Sequence, residues 1–149
     1  MKNEEFAEAV ILLGHGSRAP RAGESMERVA AGLRGRLRNG NVEVCYMANQ
    51  GPAFPEALER CVARGARKVI VIPYFLHTGM HILQDVPELL KREAERFPGV
   101  ELVLGRSLGF DDCLVELVMK RLDESRALPD VRRLEPAVPE EVFDEDKTR

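Results

Sequence analysis

No stretch of this chain approaches the ~20 consecutive apolar residues that a membrane-spanning helix requires, and its longest apolar runs are the length of a strand. No membrane partner is therefore expected. The opening MKNEEFAEAV lacks the basic-then-apolar order of a secretory signal, so the sequence reads as cytoplasmic. Cysteine is sparse: Cys45, Cys61 and Cys113 are odd in number and form no C-x-x-C pair, which suggests neither a disulfide framework nor a zinc knuckle. All are expected to be buried structural thiols, since cysteine behaves as a small hydrophobe in cores. Positive charge is not in excess either. A formal net charge of −3 gives no basic stripe for a nucleic acid, although it leaves room for a local arginine cluster on a small anionic ligand. Internal repeats and low-complexity tracts are absent.

What is present fits one globular domain: 149 residues, 44% hydrophobic and 32% charged, enough to bury a real core. Four β-branched-rich runs recur at 9–14 (AVILLG), 42–47 (VEVCYM), 68–75 (KVIVIPYF) and 100–105 (VELVLG), each beside a helix-like segment. That βαβα rhythm predicts a parallel sheet flanked by helices, an α/β fold. The first and third runs are almost continuously apolar, as central strands covered on both faces should be. The second and fourth each carry a polar residue and suit the edges, so the expected strand order is 2-1-3-4. Met26, Val29, Ala30, Leu33 and Leu37 lie at helical spacing in the first helix, with Gly40 as its stop. Pro55 and Gly65 bracket the second helix, and Asp85 with Glu88 reads as a capping box at the start of the third. Asp111 or Asp112 is available to cap the fourth. The domain is expected over 1–127, with 128–149 a charged, proline-containing tail or arm that buries too little apolar surface to order itself.

In an open α/β sheet, ligands bind outside the carboxyl ends of the strands, where strand order reverses. The first and third strands end in GHGSR (14–18) and FLHTGMH (75–81), which together contain all three histidines, His15, His77 and His81. These loops should face one crevice, and Gly14, Gly16 and Gly79 would let the backbone turn there and a ligand approach. Two neutral imidazoles meeting in a crevice suit a first-row transition metal with an incomplete coordination sphere, or an acid–base pair near neutral pH. His77 is a further candidate ligand or a residue that simply fills the loop. Arg18 and Arg21 begin the first helical stretch beside His15, where guanidinium groups favour carboxylate or phosphate. Ser17 either bonds the same ligand or caps that helix. Asp85 reads as a helix cap rather than a catalytic acid.

The segments GHGSR and VIPYFLHTGMHILQDVPELL resemble the signatures of the small class II chelatases of the CbiX type, the second matching strand–F-L-x-x-G-x-H-x-x-x-D-[ILV]-P. The resemblance covers roughly residues 9–126. It implies a chelatase-like fold, half of the two-lobed architecture of larger chelatases, with short members pairing as homodimers. It also implies a lyase that inserts a divalent metal, Co2+ first and Ni2+ or Fe2+ as alternatives, into sirohydrochlorin during cobalamin, siroheme or related cofactor synthesis. No cofactor beyond the metal substrate is implied. By motif, His15 and His81 correspond to the family's metal-binding and catalytic pair. Many relatives carry a glutamate after the second strand in F-L-E-x-x-x-P; aligning Pro52 puts Ala48 at that position, so His77 is a local candidate replacement.

For such a reaction, Ser17 and Arg18, with Arg21 or Arg106, would dock substrate carboxylates, while Phe75, Leu76, Gly79 and Met80 would meet the macrocycle. The competing reading is a carrier that binds metal or tetrapyrrole without metallating it. Phosphoryl transfer through His15 is disfavoured, because Leu13–Gly14 stands where that class places an arginine before the histidine.

Overall fold

The computed structural model describes residues 7–19 and 21–136. Two compact units are present, Met1–Gly109 and Phe110–Arg149. In the first, β1 (Glu8–Gly14), α1 (Glu24–Arg36), β2 (Val42–Tyr46), α2 (Phe54–Ala63), β3 (Lys68–Pro73), α3 (Met80–Ala94) and β4 (Glu101–Leu104) alternate along the chain. The strands form one parallel sheet in the order β2-β1-β3-β4, so the two most apolar strands are central and the two with polar residues are at the edges, as expected.

Side-chain alternation divides the core. Ala9, Ile11, Leu13, Cys45, Val69 and Val71 point to one face, where α2 supplies Phe54, Ala57, Leu58 and Cys61 and α3 supplies Val86 and Leu90. The opposite face carries Leu12, Val42, Val44 and Tyr46, packed on Met26 and Ala30 of α1. Val29 and Leu37, expected on the same stripe, are 41% and 36% exposed; Leu37 follows Arg36, the last residue of α1. Two buried polar groups are fully engaged. Glu43 accepts from Arg64 at 2.7 Å and lies 3.6 Å from Arg60, and Asn41 Nδ2 donates to the Cys61 carbonyl at 3.1 Å. Burying a carboxylate without such partners would be strongly unfavourable.

Local signals place most helix ends. Pro55 lies in the first turn of α2, where its missing N–H costs nothing, and Gly65 follows that helix at φ +96°. The third helix differs from expectation: it begins at Met80 with Gly79 as N-cap, so Asp85 and Glu88 are interior and form no capping box. Ile82, Val86 and Leu90 recur every four residues, and burial of that stripe carries the helix back past Asp85 and through Pro87 despite the lost backbone donor.

In the second unit, α4 (Asp112–Ser125) is capped by Asp111, whose carboxylate accepts from the Cys113 N–H at 3.0 Å. A single 3-10 turn, Val131–Arg133, follows. Of the predicted tail, residues 128–136 are described and 137–149 lie outside the described residues. No helix among the described residues is long and apolar enough to cross a membrane.

Cys45 and Cys61 are buried as expected, but Cys113 is exposed, because the first turn of α4 presents it to solvent. Burial pushes the Cys45 and Cys61 thiols up to about 12. Their folded values exceed the unfolded ones, so the stability they contribute is complete below about pH 9 and is lost as pH rises through about 12. Replacing both by alanine should therefore flatten the alkaline fall in urea-unfolding midpoint. With a thiol-specific chromogenic reagent, Cys113 should react in the native protein, slowed because hydrogen bonding to the Asp111 carboxylate raises its thiol. Cys45 and Cys61 should react only after unfolding.

Candidate functional site

The carboxyl ends of β1 and β3 lie side by side, Leu13 opposite Pro73, and the Tyr74 N–H donates to the Leu13 carbonyl at 2.7 Å. The two histidine-bearing loops leave the sheet from adjacent points. His15 is exposed, and its ring centroid lies 4.1 Å from that of Phe75, with the planes at 55°. Phe75 itself is 3% exposed. A buried ring against one side of the imidazole limits its rotation, a tilted aromatic contact of ordinary energy. Phe75, expected to face a macrocycle, thus presents its ring to His15.

The loop after β2 closes the other side. Met47 N–H donates to the Gly14 carbonyl at 2.9 Å and Ala48 N–H to the His15 carbonyl at 3.0 Å. Gly16 has φ +90°, and a Cβ there would lie 1.7 Å from the Ala48 carbonyl oxygen, so only glycine fits. Ser17 N–H donates to Gln50 Oε1 at 2.8 Å, and Arg18 Nε donates to Asn49 Oδ1 at 3.3 Å. Asn49 sits at φ +66°, a conformation asparagine tolerates better than most residues. The Ser17 hydroxyl accepts from Ala19 N–H at 3.0 Å and so shapes its own turn; it does not cap α1, whose N-cap is Gly23. Arg18 and Arg21 precede α1 instead of beginning it.

Two clefts open here. One of about 170 Å³ is lined by His15, Ser17, Ser25, Tyr46, Gln50 and Tyr74 among others. A wider one of about 730 Å³ shares Ser17, Tyr46 and Gln50 and adds Arg18, Arg21, Arg28 and Asn49. Arg21 lies 3.4 Å from Glu24, which offsets part of the positive charge on that wall. Asn49 and Gln50 are the site residues the sequence reading missed. NQGP after a strand signals a turn, but nothing local shows that its amides reach a loop more than thirty residues away.

On the second loop, Leu76, His77, Gly79 and Met80 are exposed. His81 is the second residue of α3, placed by its backbone. A third cleft of about 150 Å³, lined by Pro73, Thr78, Ile82 and Leu83 among others, lies beside this loop. Among the described residues, no three His, Cys, Asp or Glu side chains are grouped to hold a metal ion; the His81 side chain is outside that set. Ala48 is exposed next to His15, with no ligating atom in its side chain.

The CbiX family model matches residues 9–125. The sirohydrochlorin cobaltochelatase of Methanococcoides burtonii is 32% identical over 123 residues, covering 77% of this chain and 94% of the relative. The sirohydrochlorin ferrochelatase of Bacillus subtilis is 30% identical over 117 residues, covering 78% of this chain but 45% of the relative. The chain thus spans about half the length of the ferrochelatases it matches and nearly the whole of the archaeal cobaltochelatases. Among solved structures, the sirohydrochlorin chelatase SirB from Bacillus subtilis subspecies spizizenii in complex with cobalt superimposes with a TM-score of 0.72 at 29% identity, over 78% of this chain and 50% of that one. A CbiX protein from Marinobacter aquaeolei superimposes with a TM-score of 0.68 at 27% identity, over 79% and 96%. With the sheet order, the placement of both motifs and the family match in agreement, the chain belongs to the CbiX family of chelatases.

Proposed function

We propose that this chain inserts a divalent metal into sirohydrochlorin or a closely related carboxylate-rich tetrapyrrole, with Co2+ first and Ni2+ or Fe2+ as alternatives. The product would enter cobalamin, siroheme or related cofactor synthesis. The observation that carries this reading is His15: an exposed imidazole at the end of a central strand, oriented by Phe75 beside a polar, arginine-bearing cleft. Insertion must strip both pyrrole protons and deliver a desolvated ion. A neutral imidazole serves both needs, because it can hold the ion, release it as a ligand, or accept a proton. His81, assigned by motif, supplies the second imidazole from the start of α3. His77, exposed in the loop between them, is the candidate third ligand where Ala48 has none. The ion is a substrate, and no resident cofactor is invoked.

Carboxylates of the macrocycle would dock on Arg18, held by Asn49, and on the arginine wall of the wider cleft. Ser17 would hold the turn that sets Arg18. Leu76 and Met80, 54% and 69% exposed, offer apolar surface to the ring, and Gly79 adds no side chain to it. The working unit in this reading is a homodimer in the cytoplasm.

The test is anaerobic conversion of sirohydrochlorin with Co2+, Ni2+ or Fe2+, followed by the visible spectrum over many turnovers. His15→Ala should lower kcat on the order of 100-fold or more, the scale of a lost acid–base group. An undiminished rate would remove His15 from the reaction, and stoichiometric binding of metal or tetrapyrrole without metallated product would favour the carrier reading. Arg18→Ala should raise KM for the tetrapyrrole with kcat little changed, as expected for binding shared by ground and transition states. Gly16→Ala should lower stability by about 2–5 kcal/mol through left-handed strain and collision with the Ala48 carbonyl, measured by denaturant unfolding.

A further inference from the structure

The first turn of α1 carries donors that nothing in its own chain accepts from. Glu24 N–H and Glu27 N–H are taken by the carbonyls of Arg21 and Gly23, at 3.1 and 3.0 Å. Between them, the N–H groups of Ser25 and Met26 have no partner among the described residues, since Gly23 is the N-cap and no side chain caps the helix. Ser25 and Met26 line the cleft of about 170 Å³ that also holds His15.

A second observation points to the same place. Tyr46 is 7% exposed, and its hydroxyl forms no hydrogen bond among the described residues. No buried side-chain oxygen among those residues lacks a partner, so the hydroxyl itself is open, and the openings it meets are the two clefts that Tyr46 lines. It emerges at the start of α1, where a Cβ on Gly23 would collide with it and would stand 3.0 Å from Gln50 Nε2. Gly23 has φ −88°, which any residue adopts, so what this glycine supplies is room for the hydroxyl. Gln50 Oε1 accepts from Ser17 N–H, which leaves Nε2 as a further donor with no partner among the described residues. Burial and the Glu27 carboxylate raise the Tyr46 phenol above its ordinary value, so it stays a protonated donor at neutral pH.

We propose that the start of α1 is a carboxylate seat, in which Ser25 and Met26 N–H, the Tyr46 hydroxyl and Gln50 Nε2 receive one short carboxylate arm of the tetrapyrrole. The ligand is an anion because the converging groups are all donors and the helix end they surround carries partial positive charge. The acidic residues of that turn are offset, Glu24 lying 3.4 Å from Arg21 and Glu27 4.0 Å from Arg34. Arg28, on the wall of the adjoining wider cleft, has no ion-pair partner among the described residues. At about 170 Å³ the cleft falls below the roughly 300–1,000 Å³ that encloses a whole drug-sized ligand, so it admits an arm and leaves the macrocycle outside. Because His15 lines the same cleft, an arm seated there fixes how the ring is turned over the imidazole. The inference rests on the tetrapyrrole substrate proposed above, and not on turnover.

The experiment uses the full chain without metal. The probe is uroporphyrin, a metal-free tetrapyrrole with carboxylate arms, whose fluorescence reports binding. Tyr46→Phe should raise Kd roughly tenfold or more, the scale of a hydrogen bond to a charged acceptor, without lowering the urea-unfolding midpoint. Ser25→Pro should weaken binding more than Ser25→Ala, because only proline removes the N–H, and its ring is tolerated in a first turn. Unchanged affinity in Tyr46→Phe would overturn the seat, as would a wild-type chain that does not bind the probe. A lowered midpoint in Tyr46→Phe would assign the hydroxyl to the fold and overturn it too. Equal affinities of the two Ser25 variants would overturn the share given to the helix. Inorganic phosphate bound through Tyr46, with uroporphyrin indifferent to that residue, would assign the seat to a free anion and overturn the arm. Tyr46-dependent binding in a chain that inserts no metal would leave the seat standing and strike the proposed catalysis. Binding indifferent to Tyr46 in a chain that does insert metal would strike the seat alone.

Discussion

The parallel ladder between β1 and β3 is the interaction on which the site depends. Its register sets Leu13 beside Pro73, and its last hydrogen bond, from Tyr74 N–H to the Leu13 carbonyl, fixes where both histidine-bearing loops depart. Parallel pairing brings the carboxyl ends of two strands that are far apart in sequence to the same edge, which no hairpin could do. The aromatic contact between His15 and Phe75 follows directly, since the residues after each strand end are neighbours once the ladder is formed. A one-residue slip would turn Phe75 to the other face and leave the imidazole without a wall.

The loop after β2 adds a second level of fixation. Backbone donors from Met47 and Ala48 hold Gly14 and His15, and the amides of Asn49 and Gln50 hold Arg18 and Ser17. The segment carrying His15 is thereby bounded on one side by an apolar ring and on the other by hydrogen bonds. Its polarity is preserved without burying an unpaired group, and among the described residues no buried side-chain nitrogen or oxygen lacks a partner. Electrostatics on the cleft wall are divided, because Arg21 faces Glu24, while Arg18 is oriented by a neutral amide that leaves its charge uncompensated by that partner.

Strand order was legible in the sequence because the central strands are the most continuously apolar while Glu43 and Glu101 mark the edge strands, although β2 is itself buried throughout, its Glu43 paired with Arg64. The loops that carry the histidines were legible for the same reason. The start of α3 was not: Asp85, Pro87 and Glu88 imitate a helix beginning, and only the packing of Ile82 shows that the helix is already formed. Asn49 and Gln50 were missed because their role exists only once two distant loops meet.

The contact between Gly16 and Ala48 separates what is fixed at that point from what is free. The backbone of Ala48 is held between its donor to His15 and the carbonyl that crowds Gly16, while its methyl group faces open space. Exchange of that side chain therefore disturbs neither the sheet nor the imidazole beside it. Position 48 is thus a place beside His15 where the side chain can change on an unchanged backbone, so what that side chain offers to the cleft is separable from what holds the loop together.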